Sequence, residues 1–245
     1  TIQKVLNRLG IVYRHAAAMG LPVDLTTVER VKTLLGKAEH VERRQPSMPW
    51  QEVPAFYETL SDGTIVHLAL RLLIFTGQRS YPVRFAHVDQ FDFDQAIWVV
   101  PAANLKGKKL QSDEEHQTGA FRVPLSPEAI DVVKLALGQS RDGWLFPGAR
   151  RGVISDASMS RLMERRGLEA RPHGFRSSLR TWLSECTDAS HEIAETCLQH
   201  TIGNKVSRAY DRQDYLEKRR PFMLRWSEHC TGQSGADVLA FAKKS

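Results

Sequence analysis

The stretch Pro172-His173-Gly174-Phe175-Arg176, followed by Leu198-Gln199-His200 and, ten residues later, by Tyr210, governs how this chain is read. A phosphoryl-transfer transition state spreads negative charge over non-bridging oxygens. Fixed Arg and His side chains stabilise that charge while a tyrosine hydroxyl serves as nucleophile. This order of groups suits attack on a phosphodiester. His173 and Arg176 stand three apart, which lets both face one pocket if the segment turns into a helix there. A phenol titrates near ~10 in water, so Tyr210 needs neighbouring cations or a hydrogen-bonded base. Arg176, His173 and His200 are the candidates for that task.

A second segment supplies further cations. The apolar run from His67 to Phe75 ends in Thr76-Gly77-Gln78-Arg79, and a glycine at a helix end turns the chain sharply, which would hold Arg79 at a fixed corner. Next come two β-rich runs, Ile97 to Pro101 and Phe121 to Leu125, with Lys106-Gly107-Lys108-Lys109 between them. They read as a β-hairpin with a lysine near its turn. Lys106 directly follows the strand-like segment and is favoured over Lys108 for reaching a phosphate, although residues 111–119 lengthen the turn and leave the choice between the two lysines open.

Each residue alone also has a plain structural reading. Tyr210 would be a packed tyrosine, Arg79 an ion-pairing residue, His200 a helix-terminal histidine and the lysines a solvated loop. Their joint order is more specific. Arg79, Lys106, His173, Arg176, His200 and Tyr210 follow the signature of the tyrosine recombinases, the integrases of phages and mobile elements, and the chain resembles that family over roughly residues 50–230. The strings that carry the resemblance are Thr76-Gly77-Gln78-Arg79, Arg122-Val123-Pro124-Leu125-Ser126, His173-Gly174-Phe175-Arg176-Ser177-Ser178 and Ala209-Tyr210-Asp211-Arg212. One departure stands out. The family usually places Glu three residues after the first Arg, where this chain has Pro82, so support for Arg79 has to come from elsewhere.

Composition agrees with a nucleic-acid partner without demanding one. The chain has 245 residues, 42% of them hydrophobic, and a formal net charge of +6, enough for a real core and a basic surface. Cys186, Cys197 and Cys230 lack paired spacing and read as buried free thiols in a reducing cytosol. No His or Cys pattern has metal-ligand spacing. The most apolar stretch is broken by Arg71 and falls short of the roughly 20 residues that span a bilayer. No signal peptide is visible.

Helical periodicity covers residues 2–18, with Val5, Leu6, Leu9, Val12 and Ala16 apolar, and a second helix is expected around Val28 to Leu35 after a Gly20-Leu21-Pro22 break. Residues 37–49 are polar, lack periodicity and read as a linker. From Trp50 the pattern is two helices, three short strands, then helices. Ser126-Pro127-Glu128 opens one helix and Gly138 closes it. Ser155 to Arg166 and Phe175 to Cys186 form two more. Asp214 to Glu217 has a capping-box pattern opening a helix that Pro221 should kink. The expectation for 231–245 is a flexible tail with a short amphipathic helix from Ala236.

The resemblance implies an α+β, mainly helical fold. It comprises a tyrosine-recombinase catalytic domain (50–230) with a small three-stranded antiparallel sheet, preceded by the C-terminal helices of a truncated core-binding domain (1–36). It implies a site-specific recombinase that cuts and rejoins double-stranded DNA attachment sites through a 3′-phosphotyrosyl intermediate, integrating or excising a mobile element. No metal, cofactor or ATP would be needed. The implied assembly is a homo-tetramer on DNA that exchanges C-terminal segments, aided by DNA-bending or excision factors, in the bacterial cytoplasm at the nucleoid and away from membranes. Two rivals stay open at this point: a type IB topoisomerase with similar phosphate chemistry, and a catalytically silent DNA-binding factor of the same fold.

Overall fold

The computed structural model describes residues 2–36, 46–105, 119–200 and 214–233. The chain divides into two compact units, Thr1–Arg44 and Gln45–Ser245. The first holds α1 (Ile2–Ala18) and α2 (Thr27–Leu35). Leu6 and Val28 are buried, whereas Val5, Leu9 and Val12 are exposed, because two helices by themselves cover little apolar surface.

The second unit is built around one helix buried on all sides. After α3 (Val53–Glu58) comes α4 (Ile65–Thr76), in which every residue from His67 to Thr76 except Arg71 is buried. Apolar residues all round the helix leave no face for water, so other elements must enclose it. It packs against α5 (Ser80–Arg84), α6 (Pro127–Leu137), α7 (Ser158–Arg165), α8 (Phe175–Cys186) and α10 (Leu216–Cys230). Arg71 reaches the edge of this core, where its Nε donates to the Tyr57 hydroxyl at 2.7 Å. Burial pushes that phenol up to about 12, so it stays a neutral acceptor. Trp226 of α10 donates its indole N–H to the Ile74 carbonyl at 2.8 Å, fixing the last long helix to the end of α4.

The sheet has the expected order and sense. Strand β2 (Ile97–Val100) lies between β1 (Phe91–Asp92) and β3 (Phe121–Pro124), antiparallel to both. The β2–β3 register pairs Trp98 with Val123 and Val100 with Phe121. The mainly helical α+β expectation thus holds. Ser126 caps α6 by accepting from the Ala129 N–H at 3.2 Å, and α8 spans Phe175–Cys186 as its periodicity indicates. All three cysteines are buried free thiols, and burial raises Cys197 to about 12. Among the described residues no helix is long and apolar enough to cross a membrane.

Some local expectations are corrected. Helix α7 starts at Ser158 rather than Ser155, because residues 155–158 form a turn in which the Ser158 N–H bonds to the Ser155 carbonyl at 3.1 Å. Gly138 closes α6 as expected, though with φ −63° it takes a conformation that needs no glycine. The capping box at Asp214–Glu217 does not form. Tyr215, with φ 48°, occupies the cap position without a side-chain cap bond. Asp214 Oδ1 accepts from the Leu216 N–H at 3.2 Å, but its carboxylate is also held by a bidentate pair with Arg122 at 2.7 and 2.8 Å, and Glu217, the other member of the box, pairs with Arg220. Pro221 lies inside α10, as expected. The tail expected beyond Gln233 lies outside the described residues.

Residues 46–49 pack against the start of α8. Met48 is buried, its carbonyl accepts from the Ser178 hydroxyl, and the Pro46 carbonyl accepts from the Arg171 N–H at 3.3 Å. This close approach explains Gly174, since a Cβ there would lie 2.8 Å from Ser47 Cα and closer still to the Pro46 carbonyl oxygen. Backbone atoms cannot swing aside as a side-chain tip can. Gly174→Ala should therefore destabilise the chain by about 2 kcal/mol, within the usual range for overpacking. Urea denaturation of the two proteins checks this, and equal midpoints would contradict the tight approach.

Candidate active site

The corner after α4 positions the first arginine. Gly77 ends α4 in the left-handed region, φ 60° and ψ 15°, and its N–H bonds to the Leu73 carbonyl. A side chain at this position would also collide with Leu179, at 2.6 Å from the Cβ. Two residues on, Arg79 caps α5 with extended backbone angles. Its half-buried guanidinium donates from Nη1 to the Gln199 side-chain oxygen at 2.8 Å.

The second arginine is held more deeply. Arg176, in the first turn of α8, is 3% exposed. Its Nη1 donates to the Gly77 carbonyl and its Nη2 to the Leu198 carbonyl. Nη2 also lies 3.0 Å from His200 Nε2. A guanidinium has no acceptor, so Nε2 carries the lone pair in this contact, and the ring proton sits on Nδ1, 2.6 Å from Glu195 Oε2. Glu195 also receives Arg180 at 2.7 Å. Burial alone would raise the Glu195 carboxyl, but the bonds from Arg180 and His200 outweigh it and hold the group below the usual carboxylate range.

Both arginines and His200 therefore meet at one three-residue turn. Helix α9 (His191–Cys197) ends there, and Gln199 takes φ 55°, in the left-handed region. The Leu198 carbonyl and the His200 ring engage Arg176 while the Gln199 amide engages Arg79. His173 is exposed in the short turn Pro172–Gly174 just before α8. Lys106 and Tyr210 lie outside the described residues. Their neighbours are well anchored: Leu105 packs against the core, and Asp214 is fixed to Arg122.

Like charges sit close together here. Burial, and next the Arg79 charge, pull the Arg176 guanidinium down to about 9, with Glu195 opposing; burial lowers Arg79. Both stay protonated at neutral pH. Among the described residues neither arginine makes an ion pair, and Glu195 is already shared between Arg180 and His200. An anion placed between the guanidinia would relieve their repulsion and accept their remaining N–H groups. No cluster of His, Cys, Asp and Glu that could hold a metal ion occurs among the described residues.

Sequence reading missed Gln199, Glu195 and Arg180. Glu195 had a local signal, since it lies five residues before His200 at the end of a helix. Gln199 had none, because a non-glycine residue with positive φ leaves no mark in composition or periodicity.

This mainly helical unit with a small antiparallel sheet holds Arg176 buried and Arg79 half-buried at one turn. The chain belongs to the phage integrase family, whose model matches residues 47–217. It is 30% identical over 205 residues to the integrase of Enterobacteria phage P4, covering 76% of this chain and 46% of that protein. The same fold occurs in the Tn1549 transposon integrase, solved in complex with circular intermediate DNA, at TM-score 0.56 and 16% identity over 92% of this chain and 79% of that one. A lambda integrase tetramer bound to a Holliday junction matches at TM-score 0.54 and 19% identity, over 86% and 58%. The chain spans about half the length of the curated relatives it matches.

An anion site of this kind should bind inorganic phosphate. Phosphate should raise the thermal midpoint of the wild type by several degrees, following the mass-action gain of about 2.7 kcal/mol at a hundredfold excess over Kd. Arg79→Ala should show only the smaller general salt effect. Parallel thermal scans check this, and equal responses would rule out a shared anion site.

Proposed function

We propose that this chain is the catalytic part of a site-specific DNA recombinase that cuts and rejoins DNA through a covalent 3′-phosphotyrosyl intermediate. The observation that carries the reading is the gathering of Arg79, Arg176 and His200 around one turn in a chain of the phage integrase family. In this reading the Tyr210 oxygen attacks the scissile phosphorus, the bond from phosphorus to the 5′ oxygen breaks, and the DNA 3′ end becomes esterified to Tyr210. Arg79 and Arg176 hold the non-bridging oxygens. His173 positions Tyr210 or accepts its proton, and Lys106 protonates the departing 5′ oxygen.

His200 contributes once phosphate oxygen draws the Arg176 N–H away from its Nε2. Protonated there, the ring would donate to the phosphate, its orientation held by the Glu195 carboxylate at Nδ1. Rejoining reverses the sequence: a 5′ hydroxyl attacks the phosphotyrosine and Tyr210 leaves. One phosphoester is exchanged for another at each step, so the cycle consumes no ATP, and the side-chain cations supply the charge stabilisation that a metal would otherwise give.

The reading extends to assembly. The partner is double-stranded DNA carrying attachment sites, and four protomers work together while exchanging C-terminal segments; the neighbours solved on DNA and as a tetramer support this, as does the +6 net charge. Residues 1–36 are the end of a core-binding domain and residues 50–230 the catalytic domain. DNA-bending or excision factors assist at the nucleoid, where the mobile element is integrated or excised.

One gel experiment tests the roles. With duplex containing the element's own attachment site, the wild type should form a protein–DNA adduct that survives denaturation, and Tyr210→Phe should form none while still binding DNA. Lys106→Ala should cleave ordinary DNA about a hundredfold to ten-thousandfold more slowly, the usual contribution of a general acid. It should recover on a 5′-bridging phosphorothiolate, whose thiolate leaves unprotonated. Adducts formed by Tyr210→Phe would move the nucleophile elsewhere, and rescue of Lys108→Ala instead would transfer the acid role to that lysine.

A further inference from the structure

The departure at Pro82 leaves Arg79 without the acidic support usual in this family, and the structure shows what stands nearby instead. The side-chain partner of Arg79 is the amide oxygen of Gln199, at 2.8 Å and partly buried. Gln199 holds a left-handed backbone, φ 55°, which a side-chain-bearing residue adopts only at a steric cost. A glycine would sit there freely. The other end of the amide, Nε2, is buried with no hydrogen-bond partner among the described residues. The polar contact made by this side chain among the described residues is therefore the one to Arg79, and it comes from a strained backbone position.

We propose that Gln199 is a positioning residue for Arg79, a neutral tether that orients the guanidinium without cancelling its charge. A carboxylate would hold Arg79 equally well but would form an ion pair that phosphate must break. An amide fixes the fork through one N–H and leaves the full positive charge for the incoming oxygen. The backbone geometry couples the two arginines, since the same turn presents the Leu198 carbonyl to Arg176 and the Gln199 side chain to Arg79. This inference rests on the reading of Arg79 as a phosphate contact in DNA cleavage.

The test is a double-mutant cycle on single-turnover adduct formation, with DNA affinity measured alongside. Gln199→Gly suits the left-handed backbone, so its thermal midpoint should match or exceed that of the wild type while the cleavage rate falls at least tenfold and DNA affinity changes less than threefold. Gln199→Asn tolerates the same backbone but is one methylene too short to reach Arg79. It should show the same loss, and it replaces the glycine variant should that one fold poorly. Gln199→Glu should retain the contact yet cleave more slowly, because its charge offsets that of Arg79. In an Arg79→Lys background, Gln199→Gly should cost less than threefold further, since the tether then has no fork to orient. Wild-type cleavage by Gln199→Gly or Gln199→Asn, or a full tenfold loss repeated in the Arg79→Lys background, would overturn the proposal. Failure of the underlying reading looks different: in that case Arg79→Lys itself would cleave like the wild type.

Discussion

The candidate site depends on how helix α9 stops. Its last turn runs into Leu198-Gln199-His200, and the positive φ at Gln199 reverses the chain so that consecutive residues face the same small volume. Without that reversal the Leu198 carbonyl, the Gln199 amide and the His200 ring would be spread around a helix at about 100° intervals. With it, the first and third hold Arg176 and the second holds Arg79. The remaining supports come from elsewhere in the same unit. Gly77 supplies a carbonyl to Arg176 and sets the corner from which Arg79 projects, and Gly174 lets residues 46–48 press against the start of α8.

Two guanidinia in a partly buried space repel, and Arg176 is held in place by the Gly77 and Leu198 carbonyls. Arg176 begins a helix that packs on α4, and α4 is enclosed on all sides. The strain is electrostatic, and an anion relieves it. A site organised in this way gains most when negative charge is greatest, which for phosphoryl transfer is near the transition state. Glu195 does not spoil the balance, because Arg180 and His200 already share its carboxylate. A second network, Arg122 with Asp214 and the buried Arg219, ties the beginning of α10 to β3. It anchors the chain four residues beyond Tyr210.

Much of this was legible in the sequence because it rests on local rules. The apolar run ending at Gly77, the Ser126 cap and the periodicity of α8 each depend on a few neighbouring residues, and each forms as read. Failures arose where a distant partner decided the outcome. Asp214 accepts the first N–H of α10 but is also held by Arg122, 92 residues away in the chain, and Glu217 turns to Arg220 instead of completing the box. Gly174 is required by the backbone of Pro46 and Ser47, which nothing near it in sequence reveals. The residues proposed to contact phosphate were named from their order along the chain. Gln199, which holds Arg79, became visible only in three dimensions.

If Arg79 and Arg176 act on the negative charge of one phosphodiester, removing that charge should remove the need for them. A duplex with a neutral methylphosphonate at the scissile position has one fewer non-bridging oxygen to clamp. Arg79→Ala and Arg176→Ala, far slower than the wild type on ordinary DNA, should then approach the wild-type rate of tyrosine-linked adduct formation on the neutral substrate. Should both variants lag by the same factor on neutral and charged phosphates, the arginines do not act on phosphate charge, and the paired-guanidinium clamp is refuted.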